Sequence, residues 1–248
     1  MNVMTLLQLM GGLGLFLYGI NAMGDGLEQA AGNRMKKLLE ALTKNRFLGM
    51  LTGILVTAVI QSSSATTVMV VGFVNAGLLQ LSQAIGVIMG ANIGTTVTSL
   101  MLSIDLDFSM IFCAIGAICL LAGNKAGLKN LGQIMLGLGM LFVGMDTMSA
   151  AMTPLRDWEG FRNMMAAATN PIVGVLVGAV VTAVVQSSSA SVGILQAVAA
   201  TGAISLQGSM YILFGQNIGT CVTALMASVG TNQTAKRAAV VHLLFNCI

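Results

Sequence analysis

The stretch Gln61-Ser62-Ser63-Ser64-Ala65-Thr66-Thr67 carries a hydroxyl or amide side chain at every position but one, inside an apolar run from Phe47 to Leu79. The pattern returns 125 residues later as Gln186-Ser187-Ser188-Ser189-Ala190-Ser191. A buried hydroxyl left without a partner costs about 1–3 kcal/mol. Two such polar knots in apolar surroundings therefore imply something to bind. Serine hydroxyls can donate to an oxyanion or ligate a hard cation, and a glutamine side-chain oxygen suits sodium. A second pair of polar stretches, Gly90-Ala91-Asn92-Ile93-Gly94-Thr95 and Gly215-Gln216-Asn217-Ile218-Gly219-Thr220, adds neutral oxygens at Asn92, Thr95, Asn217 and Thr220. The serines are poor candidates for a hydrolytic nucleophile. His242 is the only histidine, and it has no counterpart in the first copy of the pattern.

These residues need elements to hold them, and the composition says which kind. Of 248 residues, 8% are charged and 56% are hydrophobic, and the mean hydropathy is +0.90. A soluble domain carries about 25% charged residues. The apolar runs are long and continuous rather than short and alternating, so the class is helical and membrane-embedded, not a β-barrel. Val3 to Met23 reads as a true span. It has no Lys or Arg ahead of it and continues directly into a repeat unit. Cys113, Cys119, Cys221 and Cys247 lie in or beside apolar segments with no metal-ligand spacing, which points to packing.

Displacing the chain by 125 residues aligns it with itself without a gap. Gly12 and Gly14 meet Gly137 and Gly139, Gly19 meets Gly144, and nine of the ten residues from Val56 to Ala65 match Val181 to Ala190. The chain is a tandem duplication, with residues 1–125 as the first copy and 126–248 as the second. The closing apolar run, from near Ala238 to Ile248, is too short to span a bilayer. The second copy is therefore expected to be truncated at its last helix, as in a fragment of a longer chain.

Each copy divides alike. Gly24 to Arg46 is amphipathic and basic, expected as a helix lying on the membrane surface. The 33 residues from Phe47 to Leu79 are long for one span and short for two, so a re-entrant helical hairpin is expected, with the knot at its tip. Its counterpart is Pro171 to Gly202. The spans Leu81 to Ser103 and Leu206 to Ser228 are expected to be interrupted at their Gly-x-Asn stretches. Phe108 to Ala122 and Leu131 to Met148 supply further spans, with a loop at Pro154. A hairpin crosses an even number of times, so each copy crosses three times and the second inserts upside down. Basic residues agree: Arg34, Lys36, Lys37, Lys44, Arg46, Lys125, Lys129, Lys236 and Arg237 fall on one face, against Arg156 and Arg162 on the other. The richer face should be cytoplasmic.

Breaking a helix in a bilayer is tolerated only where the freed backbone groups line a cavity or bind something. At a hairpin tip one half-helix ends in free carbonyls and the next begins with free N–H groups. Cations suit the first and anions the second. Inverted repeats, interrupted helices and a shared midplane site are the pattern of secondary transporters. Asp146 is the one carboxylate clearly within a span, with Asn21 as its counterpart, and an intramembrane acid is a candidate cation ligand. Asp105 and Asp107 read as loop residues. Close helix packing accounts better for Gly12, Gly14, Gly137 and Gly139.

The paired Gln-Ser-Ser-Ser motifs and the paired Gly-x-Asn-Ile-Gly-Thr motifs resemble those of the type II sodium/phosphate cotransporter family in its bacterial members, and the resemblance covers essentially the whole chain. It implies an all-α polytopic membrane protein of inverted-topology repeats, each with a re-entrant helical hairpin and an interrupted transmembrane helix. It implies a sodium-coupled secondary transporter of inorganic phosphate in the bacterial inner membrane. A passive anion channel or a phosphate exporter is the alternative, and a structural membrane subunit a weaker one. The expected phosphate ligands are Ser62, Ser63, Ser64, Ser187, Ser188 and Ser189. The expected sodium ligands are Gln61, Thr66, Asn92, Thr95, Gln186, Asn217, Thr220 and Asp146. Sodium is the coupling ion, with no further cofactor and no catalytic residue. The expected partners are phosphate, sodium, the bilayer and a second copy in a homodimer, without nucleic acid. Coupling has an energetic reason. A dianion entering against −100 mV faces about 4.6 kcal/mol, at about 2.3 per charge, and two sodium ions cancel it.

Overall fold

A computed structural model of the chain describes residues 3–31, 46–103, 109–153, 159, 163 and 166–248. The described residues form ten helices: α1 Val3–Ala31, α2 Arg46–Ile60, α3 Ser63–Asn75, α4 Leu81–Leu102, α5 Ser109–Ala122, α6 Ala126–Met152, α7 Pro171–Val185, α8 Ser188–Ala200, α9 Leu206–Ala227 and α10 Gln233–Cys247. Helices α1, α4, α6 and α9 are long and apolar enough to cross a membrane. The other apolar helices of the two copies are shorter, among them the two halves of each Gln-Ser-Ser-Ser unit. The Pro154 loop, Asp105, Asp107, the basic residues from Arg34 to Lys44, and Arg156 and Arg162 lie outside the described residues.

Each knot sits at a break between two short helices. The helix before the break packs in parallel on the long helix that follows. A methyl group at Gly53 would meet Val87 and Ala91, and one at Gly94 would meet Ile54 and Thr57, so α2 and α4 rise together. Gln61 ends this climb beside Thr98, near the far end of α4. Helix α3 must then carry the chain back to Leu81, at the level where α2 began. The unit is therefore two short helices joined at a break. The second copy repeats it, with Gly178 against Ile212 and Gln216, and Gly219 against Ala179 and Thr182.

The interruption expected in the two long helices is absent. Leu81–Leu102 and Leu206–Ala227 are continuous α-helices through both Gly-x-Asn stretches. Their glycines serve close approach instead. A side chain at Gly90 would collide with the Met50 carbonyl, and one at Gly215 with the Val175 carbonyl. In a membrane such contacts replace the hydrophobic effect as the force between helices, and each helix keeps its own hydrogen bonds. The surface helix expected from Gly24 is also corrected at its start. Helix α1 runs on without a break to Ala31, beyond the end of the apolar run.

The two copies meet along α1 and α6. Gly12 faces Met148, Phe16 faces Gly144, Gly19 faces Leu141 and Met23 faces Gly137. As one number rises the other falls, so the helices are antiparallel. Each contact also has its mirror: Gly12 with Met148 corresponds, 125 residues on and with copies exchanged, to Met23 with Gly137. Equivalent helices thus cross about a pseudo-two-fold axis. Phe16, Met23, Leu141 and Met148 are fully buried there, joined by Ala190 and Ala197 of α8. Outward faces stay apolar. On α7, Ile172, Leu176, Val180 and Val184 form an exposed stripe at four-residue spacing, which is the surface a helix presents to lipid.

Candidate functional site

The two breaks are built alike. Gln61 ends α2 with φ 58° and Gln186 ends α7 with φ 55°, the only non-glycine residues with positive φ among the described residues. The left-handed region costs an L-residue about 1–2 kcal/mol, and glycine would take it freely. Glutamine at both positions therefore has a use for its side chain. Ser62 and Ser187 follow in extended conformation and cap the next helices. Ala65 N–H donates to Ser62 Oγ at 3.1 Å, and Ala190 N–H to Ser187 Oγ at 3.2 Å. Thr66 and Ser191 N–H bond to the Ser62 and Ser187 carbonyls, which leaves the N–H groups of Ser63, Ser64, Ser188 and Ser189 without a backbone acceptor.

The two breaks meet. Ser63 Oγ and Ser188 Oγ, equivalent atoms of the two copies, lie 3.4 Å apart. Both knots line one cavity of about 270 Å³, with every residue of Gln61–Ser64 and Gln186–Ser189 in its wall. The starting ends of α3 and α8 both point at it. Four free N–H groups, the serine hydroxyls and two helix dipoles converge there, and among the described residues no Lys, Arg or His lines the cavity. Such a place suits an oxyanion.

The glutamines differ between the copies. Gln61 is buried; its Oε1 accepts from Thr98 Oγ1 at 2.7 Å and its Nε2 donates to the Ala58 carbonyl. Gln186 is exposed to the cavity, and Thr223, the counterpart of Thr98, donates to the Thr220 carbonyl instead. Thr66 is buried behind the first tip, where Thr57 Oγ1 donates to Thr66 Oγ1 at 3.0 Å. Asn92, Thr95 and Asn217 do not reach the knot cavity. They line a second cavity of about 380 Å³ between α4, α8 and α9, where Ser188 also contributes. Asn92 Nδ2 donates there to Asn246 Oδ1 at 2.8 Å. Thr220 is buried, with its hydroxyl on the Gln216 carbonyl. Asp146 is exposed on α6 and lines neither cavity, whereas its counterpart Asn21 lines the knot cavity.

Three residues that sequence reasoning passed over stand behind the second tip. Thr182, Ser191 and Gln216 are 0%, 1% and 2% exposed. Thr182 Oγ1, Ser191 Oγ and Gln216 Oε1 are buried without a hydrogen-bond partner. Gln216 Nε2 donates to the Ser191 carbonyl at 2.9 Å, which draws α8 and α9 together. In the first copy the same positions are Thr57, Thr66 and Ala91, and there Thr57 donates to Thr66, which donates in turn to the Ser62 carbonyl. Asp25 and Glu28 were also passed over, because the apolar run ends at Met23. Both line the knot cavity from α1.

Comparison with known proteins bears on this geometry. The model of the Na+/Pi-cotransporter family matches residues 15–150 and 157–248. An uncharacterized protein, YqeW of Bacillus subtilis, is 34% identical over 234 residues, 94% of this chain and 76% of that one. A putative inorganic phosphate export protein, YjbB of Salmonella typhimurium, is 30% identical over 248 residues, 99% of this chain and 46% of its own length. Sodium-dependent phosphate transport protein 2A of Rattus norvegicus is 39% identical over 93 residues, 37% of this chain and 15% of that protein. The chain thus spans under half the length of the export-named relative. No solved structure matches it. A family model matching both copies, across both knots and both Gly-x-Asn stretches, shows that this membrane protein belongs to the Na+/Pi-cotransporter family.

Proposed function

We propose that the chain moves inorganic phosphate across the membrane coupled to sodium, with phosphate held between the two Gln-Ser-Ser-Ser tips. The observation that carries this reading is the single cavity lined by both tips, into which the starting ends of α3 and α8 point. Phosphate would accept from the free N–H groups and hydroxyls of Ser63, Ser64, Ser188 and Ser189. The Ser62 and Ser187 hydroxyls still have a hydrogen to donate after capping. Sodium is neutralising charge that the described residues of the cavity wall do not supply. Its support is the buried oxygens of Thr182, Ser191 and Gln216, which lack hydrogen-bond partners, together with Gln186 at the carbonyl end of α7. A buried oxygen without a donor is stabilised by a hard cation.

In this reading the repeats are inverted and both hairpins are re-entrant. The antiparallel crossing of α1 and α6, equivalent helices of the two copies, supports the inversion. The apolar outer stripe of α7 supports burial of its hairpin in lipid. The basic face around Lys125, Lys129, Lys236 and Arg237 is cytoplasmic, and the membrane is the bacterial inner membrane. The knot cavity reaches Glu28, toward that face, and the second cavity reaches Leu206, at the other end of α9. Ser188 borders both. Two cavities ending at one site from opposite faces are what alternating access requires.

Direction has a second reading. Relatives matched along the whole chain are named for phosphate export, and the same site works outward when sodium and voltage do not drive entry. The test is radiolabelled phosphate flux in proteoliposomes holding the full-length protein, with sodium gradients imposed inward, outward and not at all. Uptake that follows the sodium gradient supports coupling. Saturable flux indifferent to sodium supports uncoupled export, and a current unsaturated by phosphate would mean a channel.

A further inference from the structure

The carboxylates Asp25 and Glu28 lie outside every motif, are exposed, and are the acidic residues among the described ones in the wall of the knot cavity. Their place follows from the continuation of α1. Asn21, Asp25 and Glu28 are spaced i, i+4 and i+7, which puts them on one helix face, and all three line the cavity. The turn that carries them is fixed on two sides. Gly24 lies under the Ile60 carbonyl at the first tip, where an added methyl group would come within 3.3 Å. Gly26 lies against Ile134 and Asn130 of α6. The acidic face is therefore held opposite the helix starts at the tips. Across the same cavity, Ser189 is 5% exposed and its hydroxyl makes no hydrogen bond to any described residue.

The arrangement sets donors for an anion against acceptors for a cation, with no basic side chain among the described residues of the cavity wall. An oxyanion at the tips would be repelled by the carboxylates unless a cation lay between. We propose that Asp25 and Glu28, with the Asn21 side-chain oxygen, form a sodium subsite on the α1 wall, where the ion bridges toward phosphate at the serines. This rests on the transport reading above and adds residues that discriminate for the coupling ion. The subsite is one-sided. The equivalent positions of the second copy are Ala150 and Thr153, which offer no carboxylate. The counterpart of Asn21 is Asp146, which lines neither cavity, so sodium collects at the mouth bounded by Glu28.

The test uses the full-length protein with Asp25→Asn, Glu28→Gln and both together, and Asp25→Glu as the conservative variant. In proteoliposomes the double variant should need about three- to tenfold more sodium for half-maximal phosphate flux, the scale of losing partly solvated charge contacts. Asp25→Glu should stay near wild type. Thermal unfolding of the purified protein in sodium chloride, without phosphate, gives a readout that does not depend on transport. Sodium should raise the wild-type midpoint relative to choline, as a ligand of the native state does, and should raise that of the double variant less. Wild-type sodium dependence in both assays for the double variant would overturn the subsite. A wild-type protein that moves no phosphate yet is stabilised by sodium through these carboxylates would sink the transport reading and leave the subsite standing.

Discussion

Removing one hydroxyl from a tip should weaken phosphate binding without weakening the fold. Ser63 is the residue to change. Its Oγ lies 3.4 Å from Ser188 Oγ, across the pseudo-two-fold axis, and its neighbour Ser62 does the capping of α3. Ser63→Ala deletes one donor to a charged ligand in a site 4% exposed at that residue. A hydrogen bond to a charged group is worth about 1.5–3 kcal/mol, and each 1.4 kcal/mol or so is tenfold in affinity. The phosphate concentration for half-maximal flux should rise about ten- to hundredfold. Ser188→Ala, the symmetric change, should act alike. Ser62→Ala is the control for stability. It removes the acceptor of the Ala65 N–H and should cost about 1 kcal/mol of folding, read as a lower unfolding midpoint. The assay pairs phosphate dose–response in proteoliposomes with thermal unfolding of the same preparations. Unchanged phosphate affinity in both Ser63→Ala and Ser188→Ala would mean that the knots pack helices and the anion binds elsewhere.

Three further outcomes follow from particular contacts. Gly215→Ala drives a methyl group into the Val175 carbonyl, so α7 and α9 must separate, and stability should fall by about 1–3 kcal/mol in a chemical-denaturation or heat series; an unchanged midpoint would mean that the interface has slack. Gln216→Ala gives the second copy the residue that the first has at Ala91; the sodium requirement of flux should rise while phosphate affinity at saturating sodium stays, and equal loss of both would show a general packing defect. Cysteines replacing Lys125 and Lys236 should react only with a cytoplasmic maleimide, and one replacing Arg156 only with an external one. Labelling of positions 125 and 156 from the same side would rule out inverted repeats.

Much of this architecture is legible in the sequence because the duplication displays it twice. The knots stand out as polar residues in apolar runs, and their helices end where glutamine, extended serine and a new cap succeed one another at 61–63 and 186–188. The Gly-x-Asn stretches misled, because glycine in a membrane helix serves two opposed ends. It can release the backbone, or it can let a neighbouring backbone come close; at Gly90 and Gly215 the neighbours are the Met50 and Val175 carbonyls, which no reading of one strand of residues reveals. Helix α1 misled in another way. Its apolar run stops at Met23 while the helix continues, so Asp25 and Glu28 read as surface charge; both are exposed, yet they line the knot cavity. Asp146 drew attention as an acid within a span, yet its counterpart Asn21 is the one of the pair in the cavity wall. The cluster at Thr182, Ser191 and Gln216 leaves no sequence signal except the departure of Gln216 from Ala91.

The central claim is that two tips from the two copies enclose one phosphate. Cysteines replacing Ser63 and Ser188, in a full-length protein whose own cysteines have been replaced, test it most directly, since the native hydroxyl oxygens are 3.4 Å apart. Under mild oxidation the pair should form a disulfide within one chain and lose phosphate flux, and reduction should restore it. Phosphate with sodium, present during oxidation, should slow the cross-link, because an anion bound between the tips holds the two residues apart. A pair that cross-links at the same rate with and without phosphate, or that transports normally once cross-linked, would contradict the account.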